Sequence, residues 1–234
     1  MLTAVTGNEP AAGATTWREL AVARSLDAAR TRAESHVQRF LDAAVELMNE
    51  GETGKDFTVQ EVVERSGQSL RSFYQYFGGK RELLLALFEE SVRSTAELLR
   101  QKMADEDDPQ ERLHRFVVEY YRLCGPVSRG KASKNHPARA LAEFAQQLLT
   151  TQPAEAARAF APLVSLFEEV LTDAAEAGHV RPQVRSRRVA GVVLEAIMFN
   201  AFSTTIVGVS TDADVADPAE ELWELMLYGI ASPA

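Results

Sequence analysis

The chain has 234 residues, 46% of them hydrophobic, and a formal net charge of -9. That is enough to bury a full core in one large or two small domains, while no run nears the roughly 18 apolar residues of a membrane span and the N-terminus lacks a basic-then-apolar secretory signal. The single cysteine, Cys124, excludes an intramolecular disulfide, fits a reducing cytoplasm and ends an apolar stripe, as a buried structural thiol would.

The opening residues mix Gly, Pro, Thr and Ala without sustained periodicity, so residues 1–30 are expected to form a flexible arm. Its Arg18, Arg24 and Arg30, with Arg32 just beyond, are offset by Glu9, Glu19, Asp27 and Glu34 and are expected to be solvated, with minor-groove tracking as the functional alternative. Val37, Phe40, Leu41, Ala44, Val45 and Met48 form a helical stripe that ends in the Gly51 to Gly54 turn. The outer face of that helix, with Asp42, Glu46 and Glu50, is acidic and should point away from any nucleic acid.

The stretch from Phe57 to Glu82 reads as two short helices and a tight turn. Thr58 and Glu61 have capping-box spacing, with Val59, Val62 and Val63 as a buried stripe. Gly67 stops this helix. Ser69 can cap the next, whose Leu70, Phe73 and Phe77 recur at helical spacing, and Gly78-Gly79 should close it in a left-handed backbone. Two short helices joined by a Gly-containing turn make a helix-turn-helix. Between Arg65 and Arg81 this acidic chain has no carboxylate, yet it keeps Arg65, Arg71, Lys80 and Arg81, an anion-facing patch.

The run resembles the DNA-binding domain of the tetracycline-repressor (TetR) family of bacterial regulators. The resemblance rests on Thr58, Val62, Gly67, Ser69, Phe73, Tyr74, Tyr76, Phe77, Lys80 and Leu83. Val63, Gln68, Arg71 and Gly79 depart from the usual Ala, apolar residue, Gly and Ser, which puts the base sequence read in question rather than the motif. The resemblance is strong over roughly residues 33–90 and architectural beyond. It implies a double-stranded operator, a homodimer, repression of nearby genes and an arm that can track DNA.

Lys80 opens a long helix striped by Leu83, Leu84, Leu87, Phe88, Val92, Ala96 and Leu99. The acidic run from Asp105 to Asp108 before Pro109 suits the start of the next, lined by Leu113, Phe116, Val117, Tyr120 and Cys124. Gly125-Pro126 stops that helix and a basic loop with Arg129, Lys131 and Lys134 follows. Leu141, Phe144, Ala145 and Leu148 stripe another helix. Phe160, Leu163, Val164, Phe167, Leu171 and Ala174 stripe a further one, which Pro162 must kink or restart and Gly178 ends. The run from Val189 is apolar around most of its circumference, and Leu222, Trp223, Leu225, Met226, Tyr228 and Ile230 stripe a last short helix. Two such terminal helices suggest a homodimer face, a four-helix bundle across a two-fold axis.

The expected architecture is therefore all-α: an N-terminal three-helix helix-turn-helix domain at 31–79 and a C-terminal helical ligand-binding and dimerisation domain at 80–234. Tyr74, Gln75 and Arg71 are expected to touch bases, with Thr58, Ser69, Tyr76 and Lys80 on phosphates and Ser72 a further DNA-binding candidate. Polar residues within apolar stripes, namely Tyr120, Tyr121, Glu143, Gln146 and Asn200, with Phe116, Phe144, Phe160 and Phe167 as walls, are the candidates for contacting a small hydrophobic effector. Arg181 to Arg188 could assist an anionic group, although a solvated loop is favoured. The rival reading is a di-metal helical-bundle enzyme, because Glu111 and His114, like Glu176 and His179, have Glu-x-x-His spacing. Each pair lies at a helix end rather than in a core stripe, and no catalytic template is present, so neither an enzyme nor a cofactor or metal is expected. His36 and His136 are expected at the surface. A regulator with no small-molecule ligand is the other alternative.

Overall fold

The structure is a computed structural model that describes residues 16–50, 57–124, 139–181, 187–207 and 217–230. The described residues form helices α1 (Trp17–Glu50), α2 (Val59–Ser66), α3 (Leu70–Tyr76), α4 (Lys80–Lys102), α5 (Pro109–Cys124), α6 (Arg139–Thr151), α7 (Pro153–Glu176), α8 (Arg187–Val207) and α9 (Pro218–Ile230). Among them there is no strand, as the stripe periodicities require. The Gly51 to Gly54 turn, the basic loop after Cys124, Arg185 and His136 lie outside the described residues.

Local chemistry sets most of the boundaries. Thr58 caps α2 through the Glu61 amide while the Glu61 carboxylate returns to the Thr58 amide at 2.7 Å, a complete capping box. Gly67 ends α2 at φ 65°, a left-handed conformation that costs a glycine little. The Asp108 carboxylate accepts the Gln110 and Glu111 amides at 2.9 Å each, with Pro109 in the first helical position of α5. Pro162 neither kinks α7 into two helices nor restarts it. It is exposed, so the carbonyl it leaves without a donor faces water.

The start of α1 departs from the expected flexible arm: the helix begins at Trp17, well inside residues 1–30. The cause is a second capping box, in which the Thr16 amide donates to Glu19 Oε2 at 2.8 Å and the Glu19 amide to Thr16 Oγ1 at 3.3 Å. The helix-favouring Ala, Arg, Glu and Leu that follow, with the Arg30–Glu34 pair at 2.7 Å, carry it onward. Residues 17–32 are exposed throughout, so the helix stands clear of the core until Val37 and Phe40.

Two apolar centres result. In the head, Phe40 of α1 meets Phe73 and Phe77 edge-on at 5.4 and 6.2 Å, locking α3 against α1. In the body, α5 is surrounded by α4, α7, α8 and α9, and Phe116 stacks on Phe167 at 4.6 Å. Helix α4 joins the two centres, burying Leu83 at the head end and Leu99 at the far end.

Candidate functional site

Helix α3 presents its surface through the arrangement beneath it. Ser69 caps it by accepting the Ser72 amide at 3.0 Å. Phe73 and Phe77 are buried, which turns the opposite stripe outward: Leu70, Arg71, Tyr74 and Gln75 are exposed. Leu70 was expected on the buried stripe and is instead 46% exposed. It stands three residues before Phe73, yet at the first position of so short a helix nothing covers it. Arg71 has no side-chain partner among the described residues.

Other expected contacts are partly engaged inside the head. The Thr58 hydroxyl donates to Glu61 Oε2 at 2.9 Å and accepts the Glu61 amide, so the cap occupies it. Ser69 keeps its hydroxyl proton for an acceptor outside. Ser72 is half-buried and donates to Gln68 at 3.4 Å. Tyr76 is half-buried and stacks on His36, centroids 6.2 Å apart. Lys80 Nζ donates to the Phe57 carbonyl at 2.5 Å and lies 4.3 Å from the centroid of the Phe57 ring.

The anion-facing patch is smaller than its cation count. Arg65 makes a two-pronged pair with Glu50, both contacts at 2.7 Å, and reaches Glu46 at 3.4 Å. Hydrogen bonding to Arg65 lowers the Glu50 pKa despite partial desolvation, and the same contact raises that of Arg65. The acidic face of α1 thus neutralises one of the four cations. Arg81 is tied to Glu155 of α7 at 2.5 Å. The other departure is Gly78-Gly79: neither takes a left-handed φ. Gly78 donates its amide to Glu82 Oε2 at 2.8 Å, and a Cβ there would meet that carboxylate at 2.7 Å.

His36 is half-buried rather than fully exposed. Its ring contacts the Gln68 side-chain oxygen, and Gln68 Nε2 donates to the His36 carbonyl at 2.8 Å. The turn before α3 is therefore pinned to α1 by the residue that replaces an apolar one in the motif.

In the body, Phe116, Tyr120, Tyr121, Phe144 and Phe167 are buried, Gln146 is half-buried, and Glu143 and Asn200 are exposed. Glu143 and Asn200 therefore face outward from α6 and α8 rather than into the interior, a direction that stripe counting had placed inward. A half-open pocket of about 40 Å³ is lined by Tyr120, Cys124, Phe88, Val92, Phe160 and Met198 among others. Of the expected effector-site residues, Tyr120 and Phe160 are on its wall. Burial raises the Tyr120 pKa well above its ordinary value and pushes the Cys124 thiol up to about 12, so both are neutral in the cell. A larger cleft of about 340 Å³ opens along the α7–α8 seam. His114 Nε2 donates to Glu220 Oε2 at 2.6 Å and the ring tilts against Trp223, which ties α5 to α9, while Glu176 is exposed at the end of α7. Among the described residues no three His, Cys, Asp or Glu side chains are grouped as metal ligands.

Residues 40–87, which contain this helix-turn-helix, match the family described as bacterial regulatory proteins, tetR family. Solved structures agree in fold. A TetR-family transcriptional regulator from Pectobacterium atrosepticum is 14% identical, with 87% of this chain and 98% of that one covered and a TM-score of 0.64. The regulator FadR from Bacillus subtilis, in complex with stearoyl-CoA, is 18% identical over 82% and 98%, with a TM-score of 0.59. The fatty acid degradation regulator FadR from Bacillus halodurans is 19% identical over 83% and 95%, with a TM-score of 0.56. No curated protein matches the sequence.

Residues 40–87 are thus a tetR-family segment, and the chain shares the fold of solved TetR-family regulators. It has that family's helix-turn-helix and an all-helical second domain, and no helix among its described residues is long and apolar enough to cross a membrane. Two features of this TetR-family head escaped the sequence reading. Leu70 was assigned by spacing alone, although its place one residue after the cap Ser69 was the warning. Thr16 and Glu19 carry the same Thr-x-x-Glu signature as Thr58 and Glu61, which would have started α1 at its true position.

Proposed function

We propose that this protein is a homodimeric, ligand-responsive DNA-binding regulator, a repressor released from a near-palindromic operator by a small hydrophobic effector. The observation that carries the proposal is the exposed stripe on α3. Leu70, Arg71, Tyr74 and Gln75 offer in two turns an apolar contact for a thymine methyl, a guanidinium for guanine and an amide for adenine. Ser69, Thr58, Ser72, Tyr76 and Lys80 surround that stripe as phosphate contacts, with Ser69 the least engaged of them internally. Two heads carried by a dimer would enter major grooves about 34 Å apart.

The dimer face is assigned to α8 and α9, where Val192, Phe199 and Leu225 are 59%, 60% and 72% exposed. Apolar side chains that exposed on two terminal helices favour a symmetric partner. Helix α1 adds a rail. Arg18, Arg32 and Arg39 repeat at multiples of seven on one side of it with Arg24 beside them, and Glu19, Asp27 and Glu34 take the other side. Since His36 touches the turn before α3, the exposed half of α1 leaves the head beside the DNA-facing helix. FadR from Bacillus subtilis, similar in fold, is in complex with stearoyl-CoA, and the interior aromatic cluster here suits an apolar effector. The protein is read as a non-enzyme acting on cytoplasmic DNA.

The test is selection of duplexes from a random library, followed by titration of the selected site at several salt concentrations. A two-fold symmetric site bound by a dimer, with affinity falling steeply as salt rises, is expected. A monomer in solution, or no salt-sensitive affinity for any duplex, would sink the reading.

A further inference from the structure

His36 and Gln68 clasp each other where α1 meets the turn before α3. A backbone carbonyl can only accept, so the Gln68 nitrogen must face the His36 carbonyl, at 2.8 Å, and the amide oxygen must face the ring. That oxygen also receives the Ser72 hydroxyl at 3.4 Å, and it too can only accept. His36 Nδ1 therefore carries a hydrogen, and in the neutral ring Nε2 carries none. No group among the described residues meets Nε2. It is reached by solvent, since the one buried side-chain nitrogen or oxygen left unpaired among the described residues is Gln152 Oε1.

The ring stands at the edge of the reading helix. Ser72 and Tyr76, four residues apart, form the side of α3 between its outward stripe and buried Phe73. His36 shares Gln68 with Ser72 and stacks on Tyr76. A helix about 10 to 12 Å across fills a major groove about 12 Å wide, so groups at its edges lie against phosphates rather than bases. On α1, Arg32 and Arg39 lie one turn to either side of His36, both exposed, and Arg39 has no partner among the described residues.

We propose that His36 is a DNA-backbone contact that operates only as the imidazolium: Nδ1–H stays on Gln68 while Nε2–H donates to a phosphate oxygen. The proposal rests on the regulator reading above and adds to it a contact that loads a proton. That proton comes from solvent as the complex forms and returns to solvent on release. Gln68 is the positioning residue, because its oxygen holds Nδ1–H whether the ring is neutral or charged.

The surroundings set the order of events. Along α1 the charged neighbours are Arg32 and Arg39, the turn contributes neutral Gln68, and α3 contributes Ser72 and the Tyr76 phenol. Arg65, at the end of α2, is taken by Glu50 and Glu46. Among the described residues no carboxylate meets the ring. The negative charge that stabilises the imidazolium is thus supplied by the DNA.

The test is titration of the full-length protein with its selected duplex from pH 8 to pH 6 at fixed salt. A proton held in the complex and absent from the free protein makes affinity rise as pH falls. The rise should be about tenfold or more over that span, which brackets the ordinary histidine midpoint of about 6.5. His36→Asn keeps an N–H in the place of Nδ1 and has nothing in that of Nε2. It should bind like the native chain at pH 8 and lose the rise. The salt slope should steepen by about 1 per protomer from pH 8 to pH 6 in the native chain and stay constant in His36→Asn. Gln68→Leu, which restores the apolar residue usual in the motif, should blunt the rise. Calorimetry of the native chain at pH 7, in two buffers of different ionisation enthalpy, should show proton uptake on binding of at most about one per protomer. A rise as large as the native one in either variant, or no proton uptake by the native chain, would overturn the contact. Salt-sensitive operator binding that is indifferent to pH rejects the His36 contact and spares the regulator, whereas no salt-sensitive affinity for any duplex at either pH rejects the regulator itself.

Discussion

The head and the body of this chain solve packing in opposite ways. In the head, three phenylalanines, Phe40, Phe73 and Phe77, close on one another and leave Leu70, Arg71, Tyr74 and Gln75 facing outward. In the body, Phe88 of α4 meets Phe144 of α6 and Phe160 of α7 edge to face, and Phe88 and Phe160 border open space. A small domain that must hold a rigid surface needs a filled core, whereas a domain that must receive a ligand needs an imperfect one. The difference teaches where each region is fragile: the head in its core, the body at its voids.

The largest effect should come from emptying the filled core. Phe73→Ala is expected to cost about 3 to 5 kcal/mol, measured by urea unfolding, and to abolish DNA binding with it. A loss no greater than that of Phe160→Ala would break the contrast, since Phe160 already borders space. Next in size, Arg71→Ala should cost about 1 to 3 kcal/mol of operator affinity and relax preference at one base position. Equal loss on every duplex would instead make Arg71 a phosphate contact.

The body's interior gives a pH signature in stability rather than in DNA binding. Burial pushes the Cys124 thiol from its ordinary 9.0 up to about 12, with the Tyr120 hydrogen bond pulling modestly the other way. The folded state therefore holds this proton after the unfolded chain has released it. Its contribution is complete below pH 9.0 and is lost as pH rises from there to about 12, at no more than about 1.4 kcal/mol per unit. Urea midpoints at pH 8 and pH 10 should fall further for the native chain than for Cys124→Ala. Parallel falls in the two proteins would mean that the thiol is not dry.

The smallest expected effect sharpens the head. Lys80→Ala should lower the salt slope of DNA binding by about 1 per protomer if the ammonium reaches a phosphate. Its hydrogen bond to the Phe57 carbonyl and its place over the Phe57 ring suggest a second role as a strut. An unchanged slope with a lowered melting temperature would assign it to that role alone.

Much of this was legible in the chain itself. The capping box at Thr58 and Glu61, the glycine at 67, the cap at Ser69 and the apolar stripes of α4, α5 and α7 are short-range signals, and short-range physics sets them: a hydroxyl meets an amide three residues away whatever the rest of the protein does. The same rule, applied at Thr16 and Glu19, would also have announced the early start of α1. Which cations stay available was not legible. Arg65 pairs with acids fifteen and more residues earlier in the chain, and Arg81 with Glu155, far along it in the body. His36 and Gln68 likewise meet only because α1 folds back over the turn. Nor could spacing tell that Leu70 faces out while Phe73 faces in, that Glu143 and Asn200 sit on outer faces, or that Phe160 stands between two voids. Sequence by itself determined the helices, their ends and the chemistry carried on α3, because those depend on neighbours within a turn or two. Tertiary packing alone decided which charges are spent, which side chains are buried and where space is left, because those depend on residues that the chain brings together from far apart.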